Sequence, residues 1–257
     1  YEALNMASLW QVPFVLICEN NGISQTTDSK LNLSSSIEKR ANAFELDYLL
    51  IEDELTVDQI NKYLEPAIKK VRNNFKPLVV EFKTKRLASH SKGDDTRSDQ
   101  TIKQLIEKDW YEKLKKRYPE DLLQLELKVK NKIDKIIEDI LSRNNVKPVE
   151  LKKSFNSENI LNNKFVNEKV LNNLNRSISL FMRESNNSYF IGEDILDPYG
   201  GAFKATKGLS TLYPERVISS PISELGLTGV GNGLALTGNK VIVEFMFGDF
   251  IFLAFDQ

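Results

Sequence analysis

Short apolar runs alternate with amphipathic stretches through the first 143 residues. Residues 2–10 read as the end of a helix. Residues 13–18, containing Phe14-Val15-Leu16-Ile17-Cys18, read as a fully buried strand. Ser36 to Phe44 is a short helix, Tyr48-Leu49-Leu50-Ile51 a strand, and Val57 to Val71 a helix with Ile60, Leu64, Ile68 and Val71 on one stripe. Pro77-Leu78-Val79-Val80-Glu81-Phe82 is another buried strand. Strands of four to six apolar residues separated by helices predict a parallel sheet covered on both faces. Two long helices follow, over about 101–117 and 120–142. The second lines up Leu122, Leu125, Val129, Ile133, Ile136 and Ile140, the pattern of a packing or dimerisation helix.

The pattern then breaks. Residues 144–165 are polar, Asn-rich and weakly periodic, as in a linker. Beyond them the rhythm resumes with a helix over Val166 to Met182 and a strand at Tyr189-Phe190-Ile191. A strand at Val217-Ile218 enters a helix over Ser223–Ala235, and Val241 to Phe245 is a further strand. Glycine usage shifts at the same boundary. Of 12 glycines only Gly22 and Gly93 precede position 191, and the other ten lie between Gly192 and Gly248. Three segments follow: an α/β domain over 1–143, a linker over 144–165, and a second α/β domain over 166–257. No short internal repeat is visible.

Composition narrows the class. With 35 basic against 36 acidic residues, the chain has no charge bias towards nucleic acid or anionic lipid. No apolar run approaches the roughly 20 residues that a membrane-spanning helix needs. Cys18 is the single cysteine, so no intrachain disulfide can form; a small core residue in a cytoplasmic protein is the plain reading. The chain opens on Tyr1 rather than Met, and Phe255-Asp256-Gln257 stop within what reads as a helix. An internal piece of a longer reading frame is therefore expected.

Two separated stretches carry chemistry. The apolar run ending at Cys18 leads into Glu19-Asn20-Asn21-Gly22-Ile23-Ser24. An Asn pair at the carboxyl end of a parallel strand lies where open α/β sheets place ligands. Mg²⁺ wants oxygen donors, and an amide oxygen with a nearby backbone carbonyl supplies two. Taken alone, Asn-Asn-Gly is first of all a turn signal. The second stretch is Pro221-Ile222-Ser223-Glu224-Leu225-Gly226-Leu227-Thr228-Gly229, with Glu224 in the first turn of its helix, where an acid also suits the helix dipole. Between them His90, the sole histidine, sits in Arg86-Leu87-Ala88-Ser89-His90-Ser91-Lys92-Gly93-Asp94-Asp95 after a buried strand. Nothing in its spacing makes it a zinc ligand.

Tyr1 to Pro13 with Cys18 to Ser24 resembles the alpha subunit of thiamine diphosphate-dependent 2-oxoacid dehydrogenases. Gly192-Glu193-Asp194, Tyr199 to Leu209, Pro221 to Gly229 and Phe247 to Gln257 resemble the beta subunit of the same family. Finding both on one chain implies a fused alpha-beta enzyme, with a homodimer of fused chains as its assembly. The implied fold is two transketolase-like three-layer domains with mostly parallel sheets, both truncated, joined by a helical segment and linker. The implied cofactors are thiamine diphosphate and Mg²⁺. By the family pattern Asn21 gives Mg²⁺ a side-chain oxygen and Ile23 a backbone carbonyl, with Gly22 in the turn between them. The family's Gly-Asp-Gly ligand would lie shortly before Tyr1.

The same resemblance gives His90 a place beside the cofactor diphosphate and the reacting carbon; Lys92 and Arg97 make the loop cationic, which suits a diphosphate or an acyl carrier. Ser91 falls where mitochondrial relatives are phosphorylated, though a hydroxyl supporting the loop is the plainer account. Glu224 matches the acid that hydrogen-bonds the cofactor's aminopyrimidine, and Glu193 a second buried acid of a proton relay. Ser219-Ser220-Pro221 stands where many relatives have Asp-Thr-Pro. The implied reaction is oxidative decarboxylation of a small 2-oxo acid with acyl transfer to the lipoyl domain of a dihydrolipoyl acyltransferase. Asp94-Asp95 resembles the branched-chain enzymes more than the pyruvate enzymes. Pyruvate or acetoin dehydrogenase, another transketolase-like thiamine enzyme, and a non-catalytic assembly module are the rivals.

Overall fold

Among the described residues, helices flank two small parallel sheets. A computed structural model of the chain describes residues 1–53, 55–91, 93, 95, 97–143 and 167–257. The linker expected at 144–165 lies outside the described residues, as do Lys92 and Asp94. By its contacts the chain divides into two units, residues 7–152 and residues 1–6 with 153–257.

The chain begins with α1 (Glu2–Leu9) and β1 (Val15–Asn20), followed by a 3-10 turn at Ser29–Leu31. Next come α2 (Ile37–Ala43), β2 (Asp47–Ile51), α3 (Val57–Asn74) and β3 (Leu78–Lys83). The sheet order is β1-β3-β2 and both pairings are parallel. Ser36 caps α2 by accepting from Lys39 N, and Gln59 accepts from Thr56 N at the start of α3. One face of the sheet, with Leu78, Val80 and Ile51, packs on the α3 stripe of Ile60, Leu64, Ala67 and Val71.

Two expectations for this unit are corrected. β1 is not fully buried, because it pairs only with β3 and forms an edge of the described sheet; Ile17 is 58% exposed. The helix expected over 101–117 is two helices, α4 (Asp99–Glu107) and α5 (Trp110–Arg117). Asp109 divides them by accepting from Tyr111 N at 2.9 Å, since a short polar side chain satisfies an orphan N–H better as a cap than mid-helix. On α6 (Pro119–Ser142), the expected packing or dimerisation helix, Leu122 is buried within the chain while Leu125, Val129, Ile133, Ile136 and Ile140 are exposed. Eight residues of α5 span about 12 Å against about 36 Å for the 24 of α6, so α5 covers only its first turns.

The other unit holds α7 (Val170–Glu184), β4 (Ser188–Glu193), α8 (Leu209–Leu212), β5 (Val217–Ser220), α9 (Glu224–Leu236) and β6 (Lys240–Val243). Its sheet order is β5-β4-β6, again parallel. Ile178 and Met182 of α7 pack with Phe190, Ile195, Leu209 and Val217. The glycine-rich loop between β4 and α8 folds because a side chain would not fit: a Cβ on Gly200 (φ +71°) would lie 2.6 Å from Lys207 Cα. Asp197 ties that loop to α8, accepting from Gly208 N, Ser210 Oγ, Thr211 N and Thr211 Oγ1 at 2.7–3.0 Å. Those bonds, the Gly208 N–H first, hold its carboxyl well below the usual range. The chain's last helix is a 3-10 segment at Gly248–Ala254 rather than a helix running through Gln257.

Candidate active site

Asn20, at the carboxyl end of β1, shapes the turn that follows it. Its Oδ1 accepts from Gly22 N at 3.0 Å, and Asn21 Oδ1 accepts from Ile23 N at 3.0 Å. Two consecutive Asx turns, with Gly22 at φ +74°, bring the chain round sharply. An amide oxygen has two lone pairs, so Asn21 Oδ1 keeps one for a cation. The donor set therefore fits a hard metal ion in kind, while supplying only part of an octahedron. Among the described residues no group of three or more His, Cys, Asp or Glu side chains could hold a metal ion.

Arg86 fastens this turn to the histidine loop of the same unit. Its guanidinium donates to Ser24 O at 3.1 Å and Gln25 O at 2.9 Å, and its Nε to Ala88 O at 3.1 Å. His90 is exposed, with Nδ1 2.9 Å from Ser91 Oγ. The positive charge that Arg97 brings to this loop is paired. Its guanidinium meets Asp95 at 2.7 Å and donates to Arg86 O and Ala88 O, because carboxylate and carbonyl oxygens lie within reach of its fork. Arg97 in turn holds the Asp95 carboxyl down to about 2.

A residue that the sequence reading passed over sits behind the Asn pair. Glu81, in the middle of β3 and only 2% exposed, accepts from Asn20 Nδ2 at 2.7 Å, from Tyr48 OH at 2.7 Å and from Lys83 Nζ. Burial alone would push its carboxyl up, but the bonds from Lys83, Asn20 and Tyr48 outweigh it and hold the carboxyl below its ordinary range. The signal was present: an acid inside an apolar strand run must find partners. Cys18, on the same face, has its thiol pushed up by burial and by Glu81, which suits an inert residue.

In the unit of residues 1–6 and 153–257, Glu224 opens α9 and is 9% exposed. Glu193, at the end of β4, is 2% exposed; its Oε1 accepts from Ser223 N at 2.8 Å, and its buried Oε2 has no partner among the described residues. Burial raises the Glu193 carboxyl, and the charges of Glu224 and Asp194 raise it further. A buried acid that favours its protonated form beside a second acid is an arrangement able to hold and pass a proton. Glu2 accepts from Ser223 Oγ and from Gly226 N at 3.2 Å, at the start of α9. Asn21, Gly22, Ile23 and His90 thus belong to one unit, and Glu193 and Glu224 to the other.

Parallel three-stranded sheets flanked by helices place the chain in the α/β class, and the fold is like that of solved transketolases. It is similar to a solved transketolase from Campylobacter jejuni at 17% identity and a TM-score of 0.58, covering 100% of this chain and 42% of that one. A transketolase from Pichia stipitis is similar at 12% identity and a TM-score of 0.55, covering 99% and 42%. The model of the dehydrogenase E1 component matches residues 1–150, and the chain belongs to that family. The transketolase pyrimidine-binding domain matches residues 171–257. Curated relatives include the 2-oxoisovalerate dehydrogenase subunit beta 2 of Arabidopsis thaliana, 41% identical, and the pyruvate dehydrogenase E1 component subunit beta of Pisum sativum, 42% identical, both over 85 residues. Those matches cover 33% of this chain and 23% of each relative, so the chain spans about a quarter of the length of the curated relatives it matches.

Proposed function

We propose that the full-length protein oxidatively decarboxylates a 2-oxo acid on thiamine diphosphate and passes the acyl group to the lipoyl domain of a dihydrolipoyl acyltransferase. The observation that carries this is the joining, in one polypeptide, of a dehydrogenase E1 match over 1–150 and a pyrimidine-binding match over 171–257. When bound, thiamine diphosphate supplies the electron sink that decarboxylation of a 2-oxo acid needs. Asn21 Oδ1 and the Ile23 carbonyl give oxygen donors to the Mg²⁺ of its diphosphate, with Gly22 shaping the turn. His90 Nε2 is the group of its loop suited to hydrogen-bond the diphosphate or a developing charge. Glu224 would hydrogen-bond the ring nitrogen of the aminopyrimidine, and Glu193, whose carboxyl burial raises, would hold or pass a proton in a relay with it.

The assembly in this reading is a homodimer of fused chains in the cytoplasm, without nucleic acid or membrane partners. Among the described residues no helix is long and apolar enough to cross a membrane. The substrate class is branched-chain 2-oxo acids, supported by the Asp94-Asp95 pair and by similarity to the 2-oxoisovalerate subunit. The pyruvate dehydrogenase relatives favour pyruvate as the second reading. Comparing kcat/KM for 3-methyl-2-oxobutanoate and pyruvate on the full-length protein decides between them. A preference of tenfold or more for the branched acid is expected, since each methylene is worth about 1–3 kcal/mol in an apolar pocket. A preference for pyruvate overturns the branched-chain assignment, and turnover of neither overturns the function.

A further inference from the structure

Glu81 is a costly residue to place in β3. A charged side chain inside an apolar run, 2% exposed, is retained only where its oxygens are satisfied. Here both are used: Oε1 by Asn20 Nδ2 and Lys83 Nζ, Oε2 by the Tyr48 hydroxyl. The three donors come from β1, β2 and β3, on the sheet face opposite the one that packs on α3.

The bond to Asn20 has a consequence beyond the sheet. An ionised carboxylate can only accept, so the Asn20 NH₂ group must face Glu81. The amide is planar, and that choice fixes its oxygen on the other side, where it accepts from Gly22 N. The Gly22 N–H is part of the turn that presents Asn21 Oδ1 and the Ile23 backbone. A relay of two hydrogen bonds, 2.7 Å and 3.0 Å, therefore runs from a buried acid to the turn.

We propose that Glu81 is a positioning residue for the metal-diphosphate site, acting through the Asn20 amide to set the turn that carries Asn21 and Ile23. This rests on the thiamine diphosphate reading of that turn. Glu81 touches neither metal nor cofactor; it fixes which way a neighbouring amide faces. Outer partners of this kind orient ligands, and their loss costs 10–100-fold in affinity at other metal sites. Lys83 and Tyr48 hold Glu81 itself in place, so the relay is anchored on all three strands.

The test is calorimetric titration of the full-length protein with Mg²⁺ and thiamine diphosphate, beside thermal unfolding. Asn20→Ala and Glu81→Ala are each expected to raise the cofactor Kd about tenfold. The double variant is expected to be within about twofold of the weaker single, because both substitutions cut one relay. Val71→Ala, a core truncation under the same sheet, is expected to lower Tm and leave Kd unchanged. An unchanged Kd in Asn20→Ala, independent effects that multiply in the double variant, or an equal Kd loss in Val71→Ala would each overturn the proposal. If Glu81→Ala is too unstable to titrate, Glu81→Gln is read in the same way: one acceptor oxygen cannot serve three donors, so Kd should still rise several-fold, and an unchanged Kd overturns the relay. A wild-type protein that binds no thiamine diphosphate fails the functional reading instead, and this inference falls with it.

Discussion

Each unit carries a glutamate in the same local sequence, Val80-Glu81-Phe82 in one and Val243-Glu244-Phe245 in the other, and the two acids have opposite fates. Glu81 meets Asn20, Tyr48 and Lys83 and is held ionised. Glu244 continues the β6 ladder by donating its N–H to Ile191 O at 2.9 Å, but its side chain faces glycines. A Cβ on Gly192 would lie 3.2 Å from Glu244 Cβ, and one on Gly201 3.5 Å from its Oε1. Glycines bring no side-chain donor, so the buried Glu244 Oε2 has no partner among the described residues, and burial raises its carboxyl. The acid is the same, and the cross-strand neighbours decide which way its proton affinity moves. The contrast extends further: both oxygens of Glu81 are satisfied, while in the other unit Glu193 and Glu244 each have an oxygen without a partner among the described residues. Groups meant to hold protons belong in the second kind of environment.

The largest expected effect tests that division of labour at Glu224. Glu224→Gln keeps the size of the side chain at the start of α9 but cannot give or take the proton. Exchange of the cofactor's C2 proton, followed by quenched NMR on the full-length protein, should slow by about 10²–10⁴, the usual worth of a positioned acid-base group. Exchange at the wild-type rate would remove Glu224 from that role. On the other side of the comparison, Asn21→Ala should weaken Mg²⁺-dependent cofactor binding at least about tenfold. An unchanged calorimetric affinity would take Asn21 out of the metal site.

A smaller effect probes Glu81 itself. Its folded carboxyl lies below the ordinary value of 4.5, so the stability it contributes is present above that pH and lost as pH falls through the folded value. Glu81→Gln should therefore cost about 1–3 kcal/mol near neutral pH, the range for leaving buried donors short of an acceptor. The deficit should shrink in acid. Thermal unfolding of both proteins between pH 3 and 8 would show it, and a deficit independent of pH would mean that packing rather than charge is lost.

Much of this was legible in the sequence, for local reasons. Val57 to Val71 repeats its apolar residues at helical spacing and is capped by Thr56 with Gln59, so α3 falls where the pattern put it, running on to Asn74. Ser36 similarly fixes the start of α2. What the pattern could not supply was each element's neighbours. The apolar run at β1 promised burial, yet burial depends on a second strand beside it, and only β3 pairs with it. The α6 stripe is a property of the helix alone, whereas what covers it is not, and α5 reaches only its first turns. Asp109 looked like one more polar position until its backbone made it a cap. The site divides along the same line. Asn21, His90, Glu193 and Glu224 stood out through motif resemblance, but Glu81 and Glu244 were hidden inside strands that read as apolar. Arg97 was legible as a charge and not as one already paired with Asp95.

The smallest effect is the one that separates the two strand glutamates most cleanly, because its sign is reversed. Burial raises the Glu244 carboxyl above 4.5, so the folded state favours the protonated form. Below 4.5 the acid is protonated in both folded and unfolded chains and costs nothing electrostatically. As pH rises from 4.5 through the folded value, the unfolded chain releases its proton first and stability falls; above the folded value the loss is complete. Glu244→Gln removes that titration while keeping the shape beneath Gly192 and Gly201. Its Tm should therefore match wild type in acid and exceed it at neutral pH, the mirror of Glu81→Gln. The gain is limited, since a buried amide here also lacks a partner for one of its polar atoms. A Gln variant less stable than wild type at pH 7 would show that Glu244 has a partner in the full-length protein. The two glutamates would then differ in where they find their donors rather than in whether they have them.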